Sequence, residues 1–568
     1  MAVESHWLVQ GTGVVPGIAY APAAWVQDLA PVPQDDRVIP EAEREAEKAR
    51  FGTAVETVAQ RFEQRALTAS GVATEVLMAT AGLTRDRGWT RAANKLILAG
   101  RPAAMAANEA IDGFVSQLQA LGGLMAERTT DLKDVRNRVT AELMGVPEPG
   151  IPKSTTPIVL MATDLAPADT AGLDPHVVVA LVTAEGGPTS HTAIIARQFG
   201  IPCIVAVSDL RKIVDGTPVL VNGSAGDVHV GVPLAEAQAL VAEDGKRRDK
   251  LRAWVGPAAT ADGVPVQLLA NVQDGPGAQK AAKAPVEGVG LFRTELCFLS
   301  AQTEPTVAEQ AAIYGEVLAA FPGHKVVIRT LDAGMDKPVP FAKIEHEENP
   351  ALGVRGIRMS LANEGMLDRQ LDGIANAVAI AGEAKTWVMA PMIATVDEAK
   401  AFADEVHKRG LVAGVMVEVP AVAMMAKQIL EVVDFLSIGT NDLTQYTMAA
   451  DRMAPTLADL TDPWQPGVLR LVARTAKAGK KAGKPVGVCG EAAADPVLAC
   501  VLIGMGITSL SMAVAAVPAV GVQLGEVTMD DCKAAAKAVL KARTAREARW
   551  LATEALAKSK EEDDDDED

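Results

Sequence analysis

The second half of the chain is punctuated by eight short, almost uninterrupted apolar runs, each followed by a stretch with helical spacing. They are VQLLANV (266–272), GVGLFRTE (288–295), KVVIRTLDAG (325–334), WVMAPMI (387–393), VAGVMVEVP (412–420), DFLSIGTND (434–442), PVGVCGE (485–491) and TSLSM (508–512). A run without polar alternation is buried on both faces, which is the habit of parallel strands covered by helices. Eight such units over about 280 residues predict a (β/α)8 TIM barrel. A doubly wound sheet accommodates the same pattern, and ALGVRGIR (351–358) reads as a further strand, so the count leaves that alternative open.

What ends the runs narrows the chemistry. Arg293 and Glu295 close one, Arg329 and Asp332 another, Glu418 a third, Asn441 and Asp442 a fourth, Cys489 and Glu491 a fifth. In a barrel these ends share one mouth, where active sites form. A lone charge at a strand end is ordinarily a loop ion pair, but five populated ends exceed that explanation. Arg293, Arg329 and, just downstream, Arg452 suit phosphate and carboxylate oxygens, which a guanidinium grips with two N–H groups. Glu418 and Asp442 are hard oxygen ligands of the number Mg2+ takes while keeping water and substrate in its other positions. Cys489 reads equally as a thiol reaching the site and as a small buried hydrophobe. These residues point to a Mg2+-dependent site for a small, anionic, phosphorylated substrate, and leave the reaction open.

The first half is organised differently. GTGVVPGIAYAPAAWV (11–26) is punctuated by Gly and Pro and rich in β-branched residues, a strand with its turn. From Pro40 to Met144 the chain is Ala-, Glu-, Arg- and Leu-rich with apolar residues at helical spacing, a helical bundle inserted into something else. PIVLMAT, VVVALVTA, PCIVAV, PVLVNG and DVHVGV then form a compact α/β domain that the 11–26 strand is expected to join. Residues 234–255 read as a connecting helix, a semi-rigid spacer. Within the α/β domain lies EGGPTSH (185–191): a strand ends, a Gly-Gly turn follows, and Thr189 or Ser190 caps a helix beginning near Thr192. His191 then sits beside free backbone N–H groups and the positive end of the helix dipole, a poor place for an imidazolium and a good one for a phosphoryl group. A neutral imidazole there is nucleophilic at pH 7.

Charge and cysteine usage remove other classes. The chain carries 54 Lys and Arg against 72 Asp and Glu, a net −18, and eight of the negatives form the run Glu561 to Asp568. An acidic body without a basic stripe excludes nucleic acid and anionic membrane as partners. The terminal run is expected to be a solvated, disordered tail. Five cysteines, none in a CxxC pair, give no disulfide framework and no cysteine zinc site. The N-terminus shows no secretory signal, and the apolar stretch Val497 to Ile507 is too short for a bilayer, so a cytoplasmic setting is expected.

GGPTSHTAIIARQFGIPCIV resembles the phosphohistidine motif of the phosphoenolpyruvate-utilising family, which includes enzyme I of the sugar phosphotransferase system, pyruvate phosphate dikinase and phosphoenolpyruvate synthase. GVGLFRTE, VIRTLDAGMDK, NPALGVRGIR, VMVEVP, DFLSIGTNDLTQYTMAADR and VGVCGEAAAD resemble that family's substrate-binding barrel. The segment order, with a helical insert and no nucleotide-binding domain before the histidine, is similar to the enzyme I branch and disfavours the ATP-using rivals. A purely regulatory binding protein of the same fold is disfavoured because every site residue stands. The resemblance implies phosphoryl transfer from phosphoenolpyruvate to His191, then to the phosphocarrier HPr, with release of pyruvate. It implies that Arg293, Arg329 and Arg452 clamp the substrate, Asn441 hydrogen-bonds it, Glu418 and Asp442 hold Mg2+, and Cys489 protonates the enolate. Lys337, Arg355 and Arg358 fall in matching motifs as further substrate contacts. Departures are Met335 in DAGMDK, Pro188 in GGPTSH, and VLMATAGLTRD in the insert.

The implied organisation is a swivelling phosphohistidine α/β domain (1–30 and 147–233) interrupted by a helical HPr-binding insert (31–146). A linker helix (234–258), a phosphoenolpyruvate-binding barrel that also forms a homodimer (259–545), and a helix end with the acidic tail (546–568) follow. Hinges are expected near 145–150 and 232–255.

Overall fold

The structure, a computed structural model, describes residues 6–565 except 28–36, 69–71, 122–128, 153, 166–168, 170–172, 188–189, 300, 336, 343–345, 382–383 and 453. Two compact units divide the chain, Met1–Arg248 and Asp249–Asp568. None of the described helices is long and apolar enough to cross a membrane.

The first unit is built on an eight-stranded sheet. Its strands are β1 (Trp7–Gln10), β2 (Thr12–Val15), β3 (Ile18–Trp25), β4 (Ile158–Ala162), β5 (Val178–Thr183), β6 (Cys203–Val205), β7 (Pro218–Asn222) and β8 (Asp227–Val230). They lie in the order β1-β8-β7-β3-β4-β5-β6-β2, with β3 to β6 parallel to their neighbours in that series and the remaining pairs antiparallel. The predicted strand at 11–26 is two strands, broken where Gly17 takes φ +134°, a value that favours glycine. The sequence reading missed β1, an edge strand on which only Val9 is buried, too little apolar pattern to read.

Between β3 and β4 stand the helices Arg44–Thr68, Val72–Thr84, Arg87–Leu98, Ala103–Leu121 and Thr129–Met144. They close around their own core, which includes Phe51, Phe62, Trp89, Ile97, Ile111 and Val135. The chain enters and leaves this insert side by side: Gln27 and Gly150 form an antiparallel bridge, with N–H···O distances of 3.0 and 3.2 Å.

The second unit is a closed barrel of β9 (Gln267–Val272), β10 (Gly288–Arg293), β11 (Lys325–Arg329), β12 (Lys385–Ala390), β13 (Val412–Val417), β14 (Phe435–Gly439), β15 (Val486–Cys489) and β16 (Ser509–Met512). All neighbours are parallel, and β16 pairs back onto β9 (Ser509 with Gln267), which excludes the doubly wound sheet. Residues 351–358 are not a strand: they fall in the 3-10 turns Pro350–Leu352 and Gly356–Leu361. Gly356 at φ +62° cannot continue an extended chain, and β11 already pairs directly with β12. Six of the strands stop sooner than the apolar runs do: Asp332 and Glu418 lie in loops above the sheet, and Glu295, Asn441, Asp442 and Glu491 already belong to the helices Glu295–Leu299, Thr440–Met448 and Glu491–Ala494.

Inside the barrel, Leu291, Val327, Met389, Met416, Phe435 and Cys489 form an apolar plug. Side chains alternate along a strand, so the residue two positions beyond each inward-facing one points the same way, into the mouth. That rule lifts Arg293 above Leu291, Arg329 above Val327 and Glu418 above Met416. The last helix, Ala545–Asp565, seats Ala548, Ala552 and Leu556 in the core. It continues into the acidic run as far as Asp565, which corrects the expectation of a disordered tail from Glu561. A helix nucleated by a buried stripe propagates at little further cost.

Candidate active site

A cavity of about 540 Å3 opens at the C-terminal ends of the barrel strands. Arg293, Arg329, Lys337, Glu418, Asn441, Asp442, Arg452 and Cys489, all singled out from sequence, line it together with Glu295 and Thr440. Arg355 and Arg358 do not line it. Arg355 is 1% exposed and its guanidinium is committed elsewhere, while Arg358 donates to the Gly353 carbonyl at 3.3 Å.

The buried charges form one network. Arg329 donates to Glu295 and stands 3.2 Å from Asp332 and 3.6 Å from Glu418. Arg355 donates from Nε and Nη2 to the two oxygens of Asp332, both at 3.0 Å. It also reaches Asp442 Oδ1 and the Tyr446 hydroxyl, each at 3.2 Å. Tyr446 in turn donates to the Ala351 carbonyl. Lys337 lies 3.3 Å from Asp332, and Arg452 lies 3.4 Å from Asp442. Burial alone would raise the Asp332 carboxyl, but Arg329, Arg355 and Lys337 together hold it well below the usual carboxylate range. Among the described residues Arg293 makes no ion pair, and it lines the cavity.

Glu418 behaves in the opposite way. Burial, joined by the negative charges of Asp332 and Asp442, pushes its carboxyl up to about 8 despite Arg329 and Arg355. One of its oxygens accepts from the Met392 N–H at 2.9 Å. Glu418 Oε1 and Asp442 Oδ1 are both buried without a hydrogen bond, the first facing the Arg329 guanidinium at 3.6 Å and the second that of Arg355 at 3.2 Å. Cys489 is fully enclosed: the Ser437 hydroxyl donates to its Sγ at 3.4 Å, and the thiol faces the Ile438 carbonyl at 3.6 Å. Burial pushes the thiol up, only partly opposed by the Ser437 hydrogen bond and by Arg329 and Arg293. Gly490, at φ +117°, brings the backbone over the site; a Cβ there would lie 2.8 Å from Thr440 Oγ1 and 3.1 Å from Asn441 Oδ1.

In the first unit, His191 is the first residue of the helix His191–Phe199. The cap is Ser190, whose Oγ accepts from the Ala193 N–H at 3.3 Å; Pro188 and Thr189 lie outside the described residues. Gly200 ends the helix in the left-handed conformation, φ +66°.

The family described as PEP-utilising enzyme matches the chain in three parts: the N-terminal domain over residues 10–128, the mobile domain over 155–226 and the PEP-binding domain over 248–529. The chain is 45% identical to the phosphoenolpyruvate-protein phosphotransferase of Streptomyces coelicolor, across 97% of this chain and 99% of that one. The chain belongs to the phosphoenolpyruvate-protein phosphotransferase family. Another member, from Haloferax volcanii, is 40% identical over 80% of this chain and 82% of its own length. A multiphosphoryl transfer protein of Rhodobacter capsulatus is 41% identical over 81% of this chain and 57% of its own.

For a phosphotransferase of this family the carboxylate pair fits a divalent cation on structural grounds. Two buried carboxylate oxygens without hydrogen bonds face the same mouth, and the crowding of negative charge that pushes the Glu418 carboxyl up is what a bound divalent cation would relieve, since it is the ionised carboxylates that bind one. Sequence reasoning passed over the strut formed by Asp332, Arg355 and Tyr446. It named Asp332 only as a strand end and Arg355 as a substrate contact, because spacing alone does not distinguish a guanidinium that lines a cavity from one locked beneath it.

Proposed function

We propose that the chain transfers the phosphoryl group of phosphoenolpyruvate to its own His191 and then to a histidine of the phosphocarrier HPr, releasing pyruvate, as the first step of the sugar phosphotransferase system. The observation that carries this reading is the convergence of three arginines, two carboxylates, an amide and a thiol on one cavity in a chain of this family.

Arg293, Arg329 and Arg452 grip the phosphate and carboxylate of the substrate, and Lys337 adds a further positive contact. The Asn441 amide donates to the substrate, and its position is fixed by the neighbouring Glu491 N–H, which donates to Asn441 Oδ1 at 3.4 Å. Glu418 and Asp442 would hold Mg2+, which when bound supplies positive charge opposite the transferred group and the enolate oxygen. A nitrogen of His191 attacks phosphorus as the bridging P–O bond breaks, and the electron pair leaves with the enolate. The Cys489 thiol, held protonated by its burial, gives its proton to the methylene carbon to form pyruvate, and water restores it. Arg355 and Arg358 hold the loops around this site rather than the substrate.

Because His191 and the arginines belong to different units, the phosphohistidine domain swivels between them, on hinges near 145–150 and 232–255. Each end of the linker helix Leu234–Ala253 is held by its own unit. Asp244 accepts the Ile18 N–H at 2.9 Å, and Lys250 pairs with Glu526 at 3.2 Å. The insert docks HPr, and the enzyme works in the cytoplasm as a homodimer joined through the barrel.

The test is phosphorylation by labelled phosphoenolpyruvate with Mg2+, alone and with HPr, beside a His191→Ala variant. Acid-labile label on the wild type, absent from the variant and chased onto HPr, is the expected result. Label that persists in His191→Ala would overturn the assignment of the nucleophile.

A further inference from the structure

At the junction of the helical insert with the phosphohistidine domain lies a buried charge cluster that the proposed chemistry does not use. Its centre is Arg138, on helix Thr129–Met144, with a side chain 3% exposed. Nε faces both oxygens of Asp134 on the same helix, at 2.8 and 2.9 Å. Nη1 donates to Glu148, in the segment leaving the insert, at 2.5 Å. Nη2 donates to Asp169, beyond β4 in the α/β domain. One guanidinium thus ties three stretches of chain that belong to the insert, its exit and the domain it interrupts. The Phe62 ring covers its face at 5.2 Å from the centroid.

The mechanics of the junction give this tie a purpose. Among the described residues the backbone pairing of the two chain crossings is the Gln27–Gly150 bridge, a short neck that leaves the angle of the insert to side-chain contacts. Arg138 lies beside that neck: a Cβ on Gly150 would sit 3.3 Å from Asp169 Oδ1 and 3.8 Å from Arg138 Nη2. An apolar patch of the same volume would bury the junction as well, and in general with no loss of stability. Three directed hydrogen bonds from one rigid fork add what an apolar patch lacks, one defined angle in this arrangement, which the swivel on the hinge near 145–150 leaves and returns to. The charges around the fork are balanced to within one. Arg61, Arg65 and Arg138 face Glu142, Asp134, Glu148 and Asp169, and burial pushes Asp134 up to about 6.

We propose that Arg138 is a positioning residue for the second half-reaction: it fixes the angle at which the insert presents a docked phosphocarrier to His191. This rests on the reading that the insert docks HPr. In that step the P–N bond to His191 breaks as the bond to the acceptor's histidine nitrogen forms, with no net proton or electron change. A phosphoryl group in flight tolerates little misplacement, so an insert free to tilt lowers the rate without removing the docking surface.

The experiment measures the two half-reactions separately in the full-length protein. Arg138→Met and the milder Asp169→Asn are compared with wild type, each first checked for an unchanged circular dichroism spectrum. Labelling of His191 by phosphoenolpyruvate should stay within about twofold of wild type. Transfer to HPr should slow by about tenfold or more in Arg138→Met at saturating HPr, with KM for HPr little changed, and Asp169→Asn should fall between. Arg138→Lys, which restores a charge but not the fork, should recover only part of the rate. Transfer at the wild-type rate by folded Arg138→Met and Asp169→Asn, or an equal loss of both half-reactions, overturns the proposal. A fall confined to KM does so too, because it makes the cluster part of the docking surface. A wild type that labels His191 but passes nothing to HPr overturns the acceptor reading, and this proposal with it.

Discussion

Replacing Glu418 by glutamine should make the metal-free barrel more stable while abolishing activity. The wild-type carboxyl is fully buried, and burial with Asp332 and Asp442 pushes it up to about 8, from 4.5 for the free group. An acid whose pKa is raised by folding favours the folded state while it is protonated. That contribution is complete below about 4.5 and is lost as pH rises through about 8. At about 1.4 kcal/mol per pKa unit, keeping this group buried costs the wild type about 3 kcal/mol at pH 7 and about 5 kcal/mol above pH 9. Glutamine keeps the shape, can still accept from the Met392 N–H, and is never charged. For a unit the length of Asp249–Asp568, the unfolding entropy converts 3 kcal/mol into about 5 °C. Calorimetry of both proteins in EDTA at pH 5.5, 7 and 9 is the assay. The variant should melt higher, by a gap that widens with pH, and added Mg2+ should raise the melting temperature of the wild type far more than that of the variant. A variant that melts no higher than wild type at pH 9, or a gap that stays constant from pH 5.5 to 9, refutes the reasoning.

Three further outcomes are expected. Cys489→Ala should slow steady-state pyruvate production by about 10²–10⁴-fold while phosphoenolpyruvate still protects the barrel against melting; unchanged turnover would remove the thiol from the mechanism. Arg355→Met strips a partner from two buried carboxylates, Asp332 and Asp442. It should therefore cost about 3–5 kcal/mol of barrel stability, read by urea unfolding; an unchanged midpoint with weaker substrate binding would instead make Arg355 a substrate contact. Ser190→Ala removes the cap on the His191 helix and should destabilise that helix by about 1 kcal/mol. Hydrogen exchange of residues 193–199 should speed up, and exchange at the wild-type rate would show the cap to be idle.

The barrel was legible because burial on both faces leaves a plain mark in sequence: seven of the eight runs contain the strands the structure forms, and the eighth, 387–393, overlaps β12, which begins earlier at Lys385. Their ends were legible too, since a two-residue period carries Leu291 to Arg293 and Met416 to Glu418 into the same mouth. What could not be read was pairing. Arg355 and Arg293 are the same residue type in equally suggestive motifs, yet one is consumed by Asp332, Asp442 and Tyr446 while the other faces the cavity. The three segments that meet at Arg138 are likewise joined only by tertiary folding. The strand β1 and the helical start of the acidic run escaped for a simpler reason: an edge strand and a propagating helix need little apolar pattern of their own.

The place of the insert also sets an order of assembly. β3 and β4 are neighbours in register, Ala23 beside Val159, and Trp7 pairs with Val230 at the sheet's edge. On a ribosome adding about 5–20 residues per second, the first strand waits about 10–45 s for its partner. The helices between them share a core drawn from residues 51–143 alone and can close sooner. A nascent chain therefore carries a finished bundle flanked by an unpaired strand, the kind of edge that recruits other chains. The protein folds from within its first half outward, and damage to the bundle should be visible first as lost soluble yield, before any rate is measured.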